Sequence, residues 1–447
     1  MRTLTKLGVA AVVGFSALQL VRPPVPVSSA GTEIQVPPAV HMVLEKDCYS
    51  CHSNERRLAW FDQVVPGYWL VRHDILTARE HLNFSSVGSK PVLVQRAALF
   101  EAVNMIRLGA MPLRSYTAFH PDAKVTPEEL ATLQAYLAPW DAMPAAGGGH
   151  GARGPATNLA SVAAEFNGLA FDPGFESWKP ISFTDRGDNN TLRLILGNDI
   201  AVRAARSGRI DPWPNGSRFA KIAWQQESAS DGLIHPGGFV QVEFMLKDAR
   251  LYRQTAGWGW GRWRGLNLTP YGNDAKFTGE CVSCHLPLKG ADYVYTLPLT
   301  RGDVGGQEVV NRRAANLPQS LPWQPLKWGT ITMYVDRASR TMAVLFGNEE
   351  ALRVARAWNA VAGRPPAYGA GAVLALVAWD QRDDPHWFGA RIPDAPQSVE
   401  FISISAQGTR FHYRRFEGSG LPERTVPFEL AQQRIDTILK LAPAALP

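Results

Sequence analysis

All four cysteines of this 447-residue chain fall in two copies of one spacing, Cys48-Tyr49-Ser50-Cys51-His52 and Cys281-Val282-Ser283-Cys284-His285, so none is left over for a structural disulfide. Three chemistries use two thiols three positions apart with an adjacent histidine: a redox dithiol, half of a zinc site, and attachment of a c-type haem. In the third, both thiols add to the vinyl groups of one porphyrin and the histidine lies beneath the iron as its proximal ligand. Two pentads that together consume every cysteine favour the haem reading. The expectation is two covalently bound haem c groups, held by Cys48, Cys51 and His52 and by Cys281, Cys284 and His285, with His52 and His285 on iron.

Elements must deliver those pentads to the right compartment and fold around them. Arg2 and Lys6 precede an apolar run from Gly8 to Val21, a length suited to a signal-peptide core and short for a membrane span. Haem c attachment takes place outside the cytoplasm, so the chain is expected to be exported to the periplasm. Cleavage after Ser28-Ser29-Ala30 fits this. The Pro-rich gap Arg22 to Val27 leaves an inner-membrane anchor as the alternative. A net charge of +6 without any Lys/Arg run speaks against nucleic acid as a partner, and 45% hydrophobic residues support real cores.

Beyond the leader (1–30), the texture divides the chain. Residues 35–143 read as a helical haem domain, in which Thr126-Pro127-Glu128-Glu129 supplies a capping box and Leu130, Leu133 and Leu137 line one face. A Gly/Pro-rich linker is expected over 144–160. Short alternating runs such as Thr191–Leu196 and Phe239–Leu246 then read as strands. Leu196-Gly197-Asn198-Asp199 returns as Phe346-Gly347-Asn348-Glu349, Ala223-Trp224 as Ala378-Trp379, and Val242-Glu243-Phe244 as Val399-Glu400-Phe401, in the same order. Two copies of one α+β unit are expected, 161–305 with a pentad and 306–447 without one.

An iron that only passes electrons needs a ligand on each face. For the first haem, Met105, Met111 and His120 are the candidates. Met111, in the loop-like Gly109-Ala110-Met111-Pro112-Leu113, is preferred, and its thioether would raise the reduction potential. His73 and His81 lie on an amphipathic helical stretch, where surface roles are expected.

Cys48–Glu55, Trp69–His81 and Leu82–Ser85 resemble a family of bacterial haem-binding domains found behind N-terminal signal or anchor segments. The run from Glu280 to Thr296 closely resembles the haem segment of the cytochrome P-460 family. That resemblance implies a haem enzyme oxidising hydroxylamine, with a strand lysine cross-linked to the porphyrin and a distal glutamate relaying protons. Lys221, on the strand after Trp213-Pro214-Asn215-Gly216-Ser217, matches the lysine, and Lys289 does not. Glu243 matches the glutamate, which would act as a base if burial raised its pKa, although Glu400 keeps the position in the copy without cysteines. Lysine-free relatives bind nitric oxide or similar gases.

The expected fold is therefore multidomain: an all-α c-type cytochrome-like domain followed by two α+β antiparallel-sheet domains of the cytochrome P-460 type, packed as an intramolecular pseudo-dimer. The expected function is oxidation of hydroxylamine or another small nitrogen species at the second haem. Electrons would pass to the first haem and on to an external redox partner. A gas binder and a plain electron carrier are the rivals.

Overall fold

A computed structural model describes residues 2–27, 31–55, 58–138, 158–274, 276–301, 309–358, 364–408 and 410–447. The expected linker and the proposed cleavage site at 28–30 lie largely or wholly outside the described residues. The chain forms two compact units, one ending at Pro139 and one running from Trp140 to Pro447.

The first unit is helical, with one isolated parallel bridge between Thr32 and Val87. Its helices are α1 (Arg2–Leu18), α2 (Pro38–Asp47), α3 (Tyr49–His52), α4 (Gly67–His81), α5 (Phe84–Val87), α6 (Val92–Arg107), α7 (Arg114–Thr117) and α8 (Pro127–Leu137). The capping box starts α8, with Thr126 and Glu129 satisfying each other's backbone N–H groups. Tyr49, Phe84 and Phe100 are fully buried at its core.

No helix among the described residues is long and apolar enough to cross a membrane. The segment after α1 is instead tied to the unit. The Gln19 side-chain amide donates to Val65 O and accepts from Val65 N. Tyr68 Oη donates to Pro23 O, Trp69 Nε1 to Val21 O, Arg72 Nε to Pro24 O and Arg79 Nη1 to Pro26 O. Prolines suit this strap, because an extended proline-rich backbone has free carbonyls and few N–H groups to satisfy.

Among the described residues the second unit holds twelve strands in one sheet: β1 (Lys179–Arg186), β2 (Thr191–Gly197), β3 (Arg218–Ser228), β4 (Ile234–Lys247), β5 (Trp258–Arg264), β6 (Thr269–Pro270), β7 (Gly329–Asp336), β8 (Thr341–Gly347), β9 (Val373–Asp384), β10 (Trp387–Ile404), β11 (Phe411–Glu417) and β12 (Glu423–Arg424). Its helices are α9 (Asp199–Arg206), α10 (Lys276–His285), α11 (Glu349–Ala357) and α12 (Phe428–Leu439). Strands β1-β2-β3-β4-β7-β8-β9-β10 close into an eight-stranded antiparallel barrel, because β1 pairs with β10 through Asp185↔Arg391 and Arg186↔Ala390.

This corrects the expectation of two separate α+β domains. The long strand β4 is shared: Ile234 pairs with Val335 of β7, while Gln241–Lys247 pair with β5. Strand β10 divides in the same way between β1 and β11. One core fills the barrel from both sides of the expected boundary, with Phe183, Trp224, Phe244, Phe346, Trp379 and Phe401 all buried. The matching element order is plain: strand, strand, helix, long strand, long strand, with Asn198 and Asn348 capping α9 and α11 through the N–H groups of Ala201 and Ala351.

Candidate functional site

In the first unit the backbone N–H of Cys48 caps α2, and α3 carries Cys51 and His52. His52 Nδ1 lies 3.0 Å from Leu82 O. A carbonyl only accepts, so Nδ1 carries the proton and Nε2 is left with its lone pair, the state a metal-bound imidazole requires. The Leu82–Ser85 segment is locked to the pentad's far end, with Asn83 Nδ2 donating to Asn54 Oδ1 at 3.0 Å and Asn54 N to Ser85 Oγ at 2.9 Å. Desolvation pushes the Cys48 and Cys51 thiols up to about 12 and 11 and lowers the His52 pKa.

Of the sixth-ligand candidates, His120 is engaged at both ring nitrogens, by Tyr116 O at 3.1 Å and Asp62 Oδ2 at 3.0 Å, and its ring stacks on Tyr116. His73 and His81 are exposed on α4. Met111 is half-buried, its N–H bonded to Met105 O.

The second pentad ends α10, which packs on the outer face of the barrel. Cys281 and Val282 lie against a cluster that includes Ile195, Phe219, Trp258, Trp260 and Val294. His285 Nδ1 donates to Tyr293 O at 2.7 Å, so the backbone-carbonyl device of the first unit is repeated. Delivering that carbonyl takes an unusual turn: Asp292 and Tyr293 both have positive φ, 47° and 67°. A buried ion pair pins it, Lys247 Nζ to Asp292 Oδ1 at 2.6 Å, with Trp213 N donating to Asp292 Oδ2 and Trp258 Nε1 to Asp292 O. Trp260 and Tyr295 flank the His285 ring at 4.6 and 5.0 Å between centroids. Burial lowers the His285 pKa to about 4.

Register brings the two expected functional side chains together on this face. Ile195, Lys221, Glu243 and Arg262 stand in one row across β2, β3, β4 and β5. Lys221 pairs with Glu243, Gln241 donates to the same carboxylate, and Arg262 Nε reaches Glu243 Oε1 at 2.9 Å. Desolvation lowers the Lys221 pKa to about 8, opposed by the Glu243 charge. Glu243 moves the other way from the expectation: desolvation would raise it, but Lys221 and Arg262 prevail and hold it well below the usual carboxylate range. In this pairing it is an ionised ion-pair partner, not a base with a raised pKa. Arg193, lowered to about 9 by burial, adds a further cation beside the row. Lys289 is exposed.

The residues present fit a c-type haem. Two half-buried cysteine side chains outside any disulfide and an imidazole with its Nδ1 fixed lie beside an apolar, aromatic surface, where the buried Trp260 Nε1 has no hydrogen-bond partner in the protein. Sequence reasoning missed Tyr293, Asp292, Lys247 and Arg262. Asp292 and Tyr293 lie inside the run singled out for its resemblance, but positive φ at non-glycine residues leaves no mark in sequence.

Among the described residues the second half has no such surface. Leu376 faces Glu400 across β9 and β10 where Lys221 faces Glu243. Glu400 is buried and bound by Tyr413 Oη and by Arg434 of α12 at 2.7 and 2.9 Å. Helix α12 seals this face with Ile435 and Ile438. His412 is exposed on β11.

The haem-binding domain family matches residues 8–139, and the cytochrome P460 family matches residues 172–296. No curated protein matches the chain.

Proposed function

We propose that this chain, a haem cytochrome in which a haem-binding domain is followed by a cytochrome P460 domain, is an exported dihaem c oxidoreductase acting on hydroxylamine or a related small nitrogen species. The observation that carries this reading is the row Lys221–Glu243–Arg262 on the face that also holds Cys281 and His285. Haem held there would supply iron redox chemistry and a sink for single electrons.

The chain's own residues do the rest. Cys281 and Cys284 hold the group, and His285 presents Nε2 because Tyr293 O occupies Nδ1. Lys221 is the residue that would modify the porphyrin: its nitrogen would bond to a ring carbon with loss of one proton from each atom and two electrons to an added two-electron oxidant such as a peroxide, and desolvation favours the neutral, nucleophilic amine near pH 8. Loss of the Lys221 charge by such a bond would remove the largest cause that lowers Glu243. Its carboxylate would then become a better acceptor for a substrate proton at Oε2. Trp260, Tyr271 and Phe277 keep the surroundings apolar.

Cys48, Cys51 and His52 would hold the first haem, as electron acceptor on the way to an external redox partner, with Met111 as its sixth ligand. The two barrel halves are read as copies of one unit, the second having exchanged its cofactor for α12. Export to the periplasm follows from c-type attachment, and the strap Gln19–Val27 favours retention of the N-terminal segment as an anchor.

The rival reading, a nitric-oxide or gas binder or plain carrier, draws on the full pairing of Glu243. The ferrous spectrum of the haem-loaded protein separates them. A strongly red-shifted Soret band beside an ordinary c-type spectrum is expected. Two ordinary c-type spectra would overturn the enzyme reading.

A further inference from the structure

The half of the barrel without cysteines reaches back to the haem side. Strands β9 and β10 are joined by the turn Pro385-His386, which the β1–β10 pairing seats beside β1. His386 Nδ1 donates to Tyr295 O at 2.6 Å, and its backbone N–H is held by Asp384 Oδ1 at 2.8 Å. The neighbouring Trp387 packs edge-on against Tyr295 with centroids 5.5 Å apart. Trp387 is itself fixed from β1: its Nε1 donates to Asp188 Oδ2 at 3.1 Å, and the Arg186 guanidinium lies 4.3 Å over its ring. Arg186 and Asp188 are both buried and joined side on, Nε to Oδ1 at 2.6 Å and Nη2 to Oδ2 at 2.5 Å.

Tyr295 is the residue through which this turn meets the pentad. Its hydroxyl donates to Cys284 O at 2.7 Å, and its ring packs edge-on against His285 at 5.0 Å. It also lies two residues after Tyr293, whose carbonyl fixes His285 Nδ1.

We propose that His386 and Trp387 are positioning residues for the haem site of the other half: through Tyr295 they hold the proximal histidine, and so set the electronic character of the iron it binds. This rests on the reading of Cys281, Cys284 and His285 as a c-type haem site. Partners behind a ligating histidine raise its basicity, and a more basic ligand favours ferric iron. Loosening the strut therefore raises the reduction potential of that haem.

The test uses the full chain loaded with haem, after haem content has been measured. Absence of haem bonded to Cys281 and Cys284 in the unmutated protein, read by mass spectrometry of the haem peptides, refutes the underlying site reading, which keeps that failure separate from failure of the strut. In His386→Ala, spectroelectrochemical titration should show the haem at His285 moving upward by about a threefold change in its one-electron equilibrium, about 30 mV at about 59 mV per decade. The haem at His52 should stay unchanged. His386→Asn, whose side-chain N–H can donate to the same carbonyl, should restore the potential. The ferrous iron–histidine stretch in resonance Raman should weaken in the Ala variant and recover in the Asn variant. An unmoved potential and stretch in folded, fully loaded His386→Ala overturns the proposal, as does an equal shift of both haems. Should that variant fail to fold, Tyr295→Phe, which removes the hydroxyl bond to Cys284 O while keeping the ring, is read by the same two measurements.

Discussion

Lys221 and Glu243 face each other in register across β3 and β4 and pair through their side chains, while the positions related to them in the other half hold Leu376 and Glu400. Lys221→Leu therefore builds into the haem face what the second half already tolerates. The variant should fold and keep both haems, lose the red-shifted ferrous Soret band, and lose hydroxylamine-dependent reduction. A red-shifted band that survives the substitution would remove Lys221 from the chemistry.

Glu243 balances the cations around it, so Glu243→Gln should cost roughly 2 kcal/mol of stability in urea titration, discounted from a fully buried pair because the site is partly exposed. Oxidation of hydroxylamine should fall roughly 100-fold or more if Glu243 accepts the proton. The pH dependence follows from the signs. Because the native carboxylate is held below its unfolded value of about 4.3, its stabilisation is complete above that pH and is lost as pH falls below it. The Gln variant should lack this part of the acid transition. Where the Lys221 amine is free, its lowered value of about 8 works oppositely to a gained partner: the unfolded chain binds more protons up to about pH 10.4, so stability rises across that interval.

On the other half, Arg434→Ala strands the buried Glu400 with Tyr413 alone. Loss of one member of a buried pair predicts about 3 kcal/mol of destabilisation. Haem content and both reduction potentials should be unchanged, which distinguishes this structural carboxylate from Glu243.

Removal of residues 1–30 takes away the strap that binds Val65, Tyr68, Trp69, Arg72 and Arg79. With about 1 kcal/mol for each net hydrogen bond, the truncated first unit should unfold at least about 2 kcal/mol more easily. Intact mass measurement of the protein purified from its source should find Gln19 to Val27 still present.

Cys281, Cys284 and His285 were legible as candidates because a fixed spacing is local, and the structure places Cys281 and His285 against the face that carries Phe219 and Met245 beside Lys221 and Glu243. The capping box at Thr126 was equally local. Barrel closure was not legible, because it rests on Ile234↔Val335 and Asp185↔Arg391, pairings between strands far apart in sequence whose side chains carry no mark of their partner. The same holds for the charge state of Glu243. Burial can be inferred from alternation, but the arrival of Arg262 depends on β5 lying beside β4 and on Glu165 accepting its backbone N–H.

Closure of the barrel also governs how the protein would fail. The strands at the margins of the sheet, β6 and β12, are two residues each and cover only Trp263 and Arg264 of β5 and Arg415 and Phe416 of β11. Among the described residues, Trp258–Arg262 and Phe411–Arg414 therefore have no strand neighbour on that side, and these two short stretches are where the backbone of another chain would add.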